Sequence, residues 1–195
     1  MNLESDAQVV ERARAGDLDA FDELVRRYSG RVYGMLARIV GDRALAEDAA
    51  QETFVRAWRA IGNFRGDAKF STWLYRIAVN EANRLLAREA RREVVPYDDT
   101  MEDIPDLASD TPAQLETLEL RAQIEAGLAA LPDHYRVAVV LRDVEGLSNE
   151  EAAAALDVRV ENLKMMVFKS RLHRGRMALR EQLERLHQDA VSDAS

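Results

Sequence analysis

The sequence predicts an all-α protein made of two helical domains joined by a flexible acidic linker. Apolar residues recur at helical spacing along most of the 195-residue chain. The first 92 residues contain no proline, whereas residues 93 to 111 combine Pro96 and Pro105 with seven acids and little apolar periodicity. A chain of this length accommodates two small domains, each with its own core.

Caps and glycines mark the helix boundaries of the first domain. Asp17 is positioned to cap a helix, Ser29-Gly30 is expected to interrupt it, and Gly41-Asp42 closes the following helix and opens another. That helix spans about 43 to 60. Its apolar side chains directed toward a core are Leu45, Ala49, Phe54, Ala57 and Trp58.

A glycine-containing loop and a long helix complete the first domain. Gly62 and Gly66 predict a loop over residues 61 to 69, and a helix follows over 70 to 92. Residues 64 to 84 combine aromatic side chains, cations and amides. Cations follow a phosphate backbone, aromatic faces accept unstacked bases, and amides bind base edges. The segment therefore predicts a surface for single-stranded nucleic acid, although Trp73 alone is more typical of a core position.

The second domain opens with two helices. Thr111-Pro112 predicts a helix start, with Gln114 completing a capping box, and this helix runs to about Ala130. Leu131-Pro132-Asp133 begins another helix, which ends near Gly146.

The end of the second domain has the outline of a helix-turn-helix. Ser148 and Glu151 form a second capping box, Asp157-Val158 makes a turn, and a long basic helix begins near Val160. In such a motif the second helix lies in a DNA major groove. An ordinary pair of packed helices has the same outline, and the apolar run from 165 to 168 favours that alternative.

Although the net charge of the chain is −8, its sequence contains two basic blocks. Residues 56 to 92 carry nine Arg or Lys against three acids, and residues 159 to 180 carry seven against one, so each block has a net charge of +6. Residues 93 to 119 carry nine acids and no Arg or Lys. Local electrostatic potential, and not net charge, governs how a protein meets a polyanion. We therefore interpret the two blocks as nucleic-acid-binding surfaces in preference to helix faces that are simply solvated.

Several function classes lack support in the sequence. The chain has no cysteine, which excludes disulfides, thiolate zinc sites and thiol nucleophiles. The three histidines are scattered, and the phosphate-loop, dinucleotide and esterase motifs are absent, so we expect no enzyme activity, metal or cofactor. The acidic N-terminus lacks a signal-peptide core and no apolar run approaches membrane-spanning length, which predicts a cytoplasmic protein.

Three segments resemble bacterial RNA polymerase sigma factors of the extracytoplasmic-function type, in the sigma-70 family. They are GDLDAFDELVRRY at 16 to 28, DAAQETFVRAWRAIGNFRGDAKFSTWLYRIAVNEANR at 48 to 84, and LAALPDHYRVAVVLRDVEGLSNEEAAAALDV at 128 to 158. The resemblance implies region two over residues 1 to 92, an acidic linker over 93 to 111, and region four over 112 to 195. It also implies promoter-specific initiation of transcription, without a small-molecule substrate.

The resemblance assigns partners and sites in region two. Polymerase binding, through the largest subunit, is expected at Asp48, Gln51 and Glu52. Recognition and melting of the −10 promoter element are expected at Phe64, Arg65, Lys69, Thr72, Trp73, Tyr75, Arg76, Asn80, Asn83 and Arg84, with Trp73 packing beneath the contacting residues. Sigma factors of this type are also commonly held inactive by an anti-sigma factor.

In region four, the resemblance implies that the helix from Val160 binds the −35 element, while the earlier helices meet the flap of the other large polymerase subunit. The family's KSRLHRGR stretch begins five residues late here, at Lys169, and five residues turn a helix by roughly 140° net. The register that follows from the turn and the register that follows from the KSRLHRGR stretch therefore cannot both face DNA. We expect the register that follows from the turn to face DNA. The resulting −35 set is Arg159, Glu161, Asn162, Lys164, Lys169, Arg171 and Arg174.

Two other functions fit the residue patterns. A helix-turn-helix regulator would bind duplex DNA without polymerase and would not need the aromatic segment. A helical adaptor would bind only proteins, and it would lack the steep salt dependence that phosphate contacts impose.

Overall fold

A computed structural model describes residues 4–91, 112–156 and 161–193 of the chain, and it describes the side chains of 4–91, 120–156, 165–185 and 188. Within these ranges the structure is helical and has no strand, which confirms the predicted fold class. The helices are α1 (Asp6–Arg14), α2 (Leu18–Val40), α3 (Arg43–Ala60), α4 (Phe70–Glu89), α5 (Pro112–Ala129), α6 (Asp133–Val139), α7 (Asn149–Ala155) and α8 (Glu161–Asp193), with a 3₁₀ turn at Ile61–Asn63 and a π-helical turn at Val140–Val144.

Helix α1 is an element that the sequence analysis did not predict. Ser5 and Gln8 form a capping box at its start, and Val9 and Val10 are buried against the rest of the first module. Asp6 accepts a hydrogen bond from the Tyr28 hydroxyl on α2. The N-terminal helix is therefore part of the buried core.

Helix α2 runs without a break from Leu18 to Val40, so the interruption predicted at Ser29-Gly30 is wrong. Gly30 has no positive φ. A single buried stripe continues through that point with Tyr28 before it and Val32 after it. Burial of this stripe outweighs the weak helix propensity of one glycine, which costs about 1 kcal/mol relative to alanine.

The predicted caps between α2 and α3 are confirmed. The Asp17 carboxylate accepts from the Ala20 N–H at 3.1 Å, and Asp42 accepts from the Leu45 N–H at 2.7 Å. Gly41 between α2 and α3 has φ +79°, a left-handed conformation that favours glycine. Helices α1 to α4 pack against one another, and their buried apolar residues belong to a single cluster that also includes those of the second module, instead of the separate core expected for each domain.

The second module is organised around α8, which packs against α5, α6 and α7. The predicted capping box at α7 is confirmed, because Ser148 Oγ accepts from the Glu151 N–H at 3.1 Å and Glu151 Oε2 accepts from the Ser148 N–H at 2.9 Å. The linker 93–111, with the Thr111 cap, and the turn at Asp157-Val158 lie outside the described residues. The domain limits stay a prediction.

Helices of the two modules also touch each other. Helix α4 packs against α7, and α2 packs against α5, α6 and the π-helical turn. None of the described helices is both long and apolar enough to span a bilayer.

Candidate nucleic-acid interface

The loop between α3 and α4 is held by a cluster of aromatic rings. Phe64 and Phe70 meet edge to face with ring centres 6.0 Å apart, and Trp73 lies 5.3 Å from Phe64 and 5.6 Å from Phe70. Tyr28 from α2 closes the cluster at 5.4 Å from Phe70. Such tilted and edge-on pairs stabilise one another beyond their buried area, so the rings fix the shape of the loop.

Most of these rings are buried rather than displayed. Phe64 is only 8% exposed and Phe70 is also buried, while Trp73 is partly buried against them. Trp73 packs on both rings and also lines the cavity described below, and its predicted place beneath the −10 contacts stays a prediction. Phe64 is a supporting residue of the loop in this arrangement, and its predicted contact with DNA stays a prediction.

The loop and the first turns of α4 surround a cavity of about 350 Å³. Gly66 at the turn of the loop has φ +78°, which allows the chain to bend back over this space. The cavity is lined by Asn63, Phe64, Arg65, Gly66, Asp67, Ala68, Thr72, Trp73 and Arg76 from the first module and by Ala154 from the second. It therefore combines an aromatic wall with two cations and several hydrogen-bonding groups.

Four other residues of the predicted −10 set, Tyr75, Asn80, Asn83 and Arg84, lie along α4 outside the cavity lining, and Lys69 precedes the helix. Asn83 and Arg84 are exposed, Asn80 is half-buried, and Thr72 and Tyr75 are buried. Asn80 Oδ1 accepts no hydrogen bond within the described part of the chain. The structure thus gathers five of the predicted residues at the cavity, namely Phe64, Arg65, Thr72, Trp73 and Arg76, and places Lys69, Tyr75, Asn80, Asn83 and Arg84 outside it.

A buried acid that sequence reasoning missed organises several cations. Glu81 on α4 is 7% exposed, and its Oε1 lies 2.8 Å from Arg56 Nε and 2.7 Å from Arg84 Nη1. Arg56 also contacts Glu52 at 2.7 Å. The spacing of Glu81 and Arg84 on one helix was the signal available in the sequence. Arg84 is consequently neutralised in part, unlike Arg65 and Arg76.

The predicted polymerase-binding residues lie on the outer side of α3. Asp48 and Gln51 are exposed, and Glu52 is half-exposed beside Arg56. The opposite side of the helix buries Ala49 and Thr53 in the core, and the Thr53 hydroxyl donates to Ala49 O at 2.6 Å. The three residues form an acidic and polar patch that is available for docking.

Helix α8 shows a core face and a basic face. Phe168 and Leu172 are buried, and Gly175 lies so close to α6 that an added Cβ would be 2.7 Å from Val139 Cγ2 and 3.1 Å from Tyr135 O. The alternative that the apolar run packs into the module is thus correct for Phe168. Met166, in contrast, is 62% exposed.

Arg174 of the predicted −35 set has a partner inside the protein, and so does the neighbouring Arg176, which is not in that set. Arg174 hydrogen-bonds to Tyr135, which raises the pKa of the arginine further, and Arg171 is half-buried. Arg176 binds both carboxylate oxygens of Asp143, at 2.9 and 2.6 Å. Lys169 is exposed without an ion pair in the described structure. Arg159 and the side chains of Glu161, Asn162 and Lys164 lie outside the described residues.

Family models match both modules of the chain. The model for sigma-70 region 2 matches residues 24–92, and the model for sigma-70 region 4 matches residues 121–179. The chain is 39% identical over 180 residues to the RNA polymerase sigma-H factor of Pseudomonas aeruginosa, a match that covers 88% of this chain and 92% of the relative. The chain belongs to the sigma-70 family.

Other comparisons place this sigma factor within the extracytoplasmic-function branch. It is 37% identical over 177 residues to the ECF RNA polymerase sigma-E factor of Escherichia coli K12, covering 86% of this chain and 91% of the relative. A solved structure of CnrH in complex with the cytosolic domain of CnrY aligns with a TM-score of 0.64 at 27% identity, covering 93% of this chain and 98% of CnrH. The sigma factor therefore directs promoter-specific initiation of transcription by core RNA polymerase.

Proposed function

We propose that the two modules of this sigma factor divide promoter recognition, with the loop cavity of the first module seating an unpaired base of the −10 element. The observation that supports this proposal is the cavity of about 350 Å³, which has an aromatic wall and is also lined by Arg65 and Arg76. Extruding a base costs a few kcal/mol, and stacking on a rigid ring and contacts with cations offset that cost. The buried ring cluster supplies the rigidity.

The proposed role of α3 is to dock on the largest subunit of the polymerase. Asp48, Gln51 and Glu52 present an exposed acidic patch on a helix that also adjoins α4. Docking through this patch would bring α4 and the loop next to the separated strands. Electrostatic complementarity of this kind increases the rate and specificity of association.

The second module is proposed to bind the −35 element as duplex DNA. The support is its helix-turn-helix outline, with a confirmed cap on α7, and the exposed Lys169 on α8. The domain limits proposed for these roles are residues 1–92 and 112–195, joined by the linker 93–111. The protein acts by binding alone, without covalent chemistry, in the cytoplasm where the polymerase works.

A regulatory partner is part of the same proposal. CnrH is a structural relative at 27% identity and was solved bound to the cytosolic domain of CnrY. By analogy, we propose that an anti-sigma factor binds this chain and withholds it from the polymerase. Co-purification of a partner with the full chain, followed by loss of transcription on adding that partner back, tests this point.

Run-off transcription with purified core polymerase on a library of promoters tests the proposed function. Initiation should depend on the added protein, and its absence on every template would refute the proposal. Two sets of variants then test the division of labour. Arg76→Ala should reduce open-complex formation more than polymerase binding, whereas Asp48→Ala combined with Glu52→Ala should weaken polymerase binding. If Arg76→Ala weakened polymerase binding and the double acidic variant reduced open-complex formation, the roles assigned to the two surfaces would be wrong.

A further inference from the structure

Glu81 is a buried carboxylate on α4 that binds cations from two helices. It is 7% exposed. Its Oε1 accepts from Arg84 Nη1 at 2.7 Å, and the same oxygen lies 2.8 Å from Arg56 Nε on α3. A carboxylate that is shielded from water needs opposite charge beside it, because its desolvation is costly. The two arginines supply that charge, so they fix Glu81 at the contact between α3 and α4.

Arg84 is held at one edge of its guanidinium and is open at the other. Its side chain is 60% exposed, and its Nη1 donates to Glu81. No other hydrogen bond of this side chain is present in the described part of the chain. A guanidinium has five N–H donors in a fixed planar fork. The open edge is therefore available to a second planar or tetrahedral anion, such as a phosphate.

Arg84 lies on the helix that carries the cavity wall. Arg76, Asn80 and Arg84 follow one another at intervals of four residues on α4, and side chains at this spacing are neighbours on a helix surface. The distance along the helix from Arg76 to Arg84 is about 12 Å. Because Arg76 lines the cavity, a strand that leaves the cavity along α4 passes Arg84.

Arg56 provides Glu81 with a second counter-ion. Its Nε lies 2.7 Å from Glu52 Oε1 and 2.8 Å from Glu81 Oε1. This nitrogen has a single hydrogen, is shielded from solvent and makes no well-directed hydrogen bond within the described residues, so it attracts both carboxylates by charge. When Arg84 shares its charge with a phosphate, Arg56 stays beside Glu81. The buried carboxylate therefore keeps a compensating charge while DNA is bound.

We propose that Glu81 is a positioning residue for promoter recognition, which holds the Arg84 guanidinium so that its open edge binds a phosphate of the unpaired −10 strand. Glu81 itself does not touch DNA. The DNA ligand is that of the proposed function, on which this role of Glu81 rests. An arginine that is already fixed loses less conformational freedom on binding, and this raises affinity.

The charge of Glu81 acts in the opposite direction from its positioning role. A negative charge near a phosphate site repels the phosphate, so neutralising Glu81 would strengthen DNA binding if electrostatic repulsion were its whole effect. If Glu81 positions Arg84, neutralising it weakens DNA binding. The sign of the change therefore distinguishes the two roles.

Side-chain NMR on the full chain tests whether Glu81 holds Arg84. Nitrogen relaxation of the Arg84 Nε–H group measures its motion on the picosecond-to-nanosecond timescale. Glu81→Gln preserves the size of the side chain and removes its charge, so it should make the Arg84 group more mobile. Glu47→Gln neutralises an exposed acid on α3 and should leave that mobility unchanged. Equal Arg84 mobility in the two variants would overturn the proposal.

A binding assay tests the effect of Glu81 on DNA. Holoenzyme is reconstituted from core polymerase and the full chain, and the probe is a single-stranded oligonucleotide with the non-template −10 sequence of a promoter identified by run-off transcription. Glu81→Gln should weaken binding about threefold or more, although it removes a negative charge. Glu47→Gln makes the same change in net charge and should not weaken binding. Unchanged or tighter binding by Glu81→Gln would overturn the positioning role.

A double-mutant cycle separates positioning from a general effect on helix packing. Arg84→Ala should weaken binding, and adding Glu81→Gln to it should cause no further loss, because Glu81 acts through Arg84. An equal loss from Glu81→Gln with and without Arg84 would show that Glu81 only supports the packing of α3 on α4. Arg84→Lys leaves the buried carboxylate in place and keeps the charge, but it lacks the second edge of the fork. It should therefore also weaken binding, and wild-type affinity would contradict the proposed phosphate contact.

The mobility measurement needs neither polymerase nor DNA. If run-off transcription failed, the proposed function would be refuted while the hold of Glu81 on Arg84 would still be measured. If transcription succeeded and Glu81→Gln left both the Arg84 mobility and the affinity for the oligonucleotide unchanged, the proposed function would stand and the role of Glu81 would be wrong.

Discussion

The basic segment around α4 and the basic segment of α8 each carry six excess positive charges, but the fold uses these charges differently. Around α4, Arg65 and Arg76 line a cavity and have no ion pair in the described structure. On α8, Arg174 binds Tyr135 and Arg176 binds Asp143 within the same module. Around α4, Arg56 and Arg84 also pair with Glu81, and on α8 Lys169 is exposed without an ion pair in the described structure. In both segments partners inside the protein therefore bind some of the cations. The difference is that the unpaired cations line a cavity in the first segment and lie on an exposed helix face in the second.

The apolar residues within the two segments differ in a similar way. Phe64, Phe70 and Trp73 pack edge-on or tilted against one another beneath a loop, so that their packing shapes a concave site. Phe168 and Leu172 instead attach α8 to its module and leave a convex helix face. The comparison separates residues that build each surface from residues that are free to contact DNA, and four pairs of substitutions test this separation.

The largest effect is expected from Phe168→Ala. This side chain is fully buried, and removing it should destabilise the second module by about 3–5 kcal/mol. Chemical denaturation followed by circular dichroism measures the change. Met166→Ala is the matched control two residues away, and its exposed side chain should cost less than about 0.5 kcal/mol. Similar losses for both variants would contradict the assigned core face of α8.

Trp73→Ala should destabilise the first module by about 2 kcal/mol, because it removes the ring that packs on Phe64 and Phe70. Arg76→Ala lies one turn further along α4 and should leave stability nearly unchanged while reducing open-complex formation. Denaturation and permanganate footprinting of the melted strand separate the two outcomes. Loss of stability on Arg76→Ala would show that this arginine is structural.

Ser148→Ala removes the cap of α7 and should cost about 1 kcal/mol of stability in the second module. Glu151 would also lose its contact with the Ser148 hydroxyl, although the Ser148 N–H remains as a donor. The same measurement on Ser170→Ala, an exposed serine inside α8, provides the control. A larger loss from the control would show that the cap contributes little.

The smallest effects distinguish two cations of α8. Lys169→Ala should reduce the slope of log affinity against log salt by about 1 on promoter duplex, since one phosphate contact is lost. Arg176→Ala should keep that slope and cost up to about 1 kcal/mol of stability, because its partner is Asp143. Titrations of the holoenzyme on a promoter identified by run-off transcription give both slopes. If Arg176→Ala lowered the slope and Lys169→Ala left it unchanged, Arg176 and not Lys169 would be the residue that contacts phosphate.

Local signals predicted much of the fold. The caps at Asp17, Asp42 and Ser148 depend on contacts three residues apart, so residue type and spacing were sufficient to find them. The break predicted at Ser29-Gly30 was wrong because the buried stripe of α2 depends on helices far away in the sequence. Helix α1 was not predicted, and it is held largely by its packing on α2.

The candidate site was only partly predictable for the same reason. The mixture of aromatics and cations between residues 64 and 84 indicated the surface, and Trp73 was expected to support it. Burial, and after it the charge of Glu145, raises the pKa of Tyr75, and the pairing of Arg56 with Glu81 joins two helices. Neither contact has a local spacing that the sequence alone displays.

The sequence by itself determined the helical class, the positions of the caps, the separation of charge and the membership of the sigma-70 family, because each depends on residue type and short-range order. Only the tertiary structure decided which cations remain available and which residues of the predicted −10 set are buried. Arg136 shows why: it donates to Ile39 O across 97 positions of the chain, and such a contact exists only after distant helices have packed.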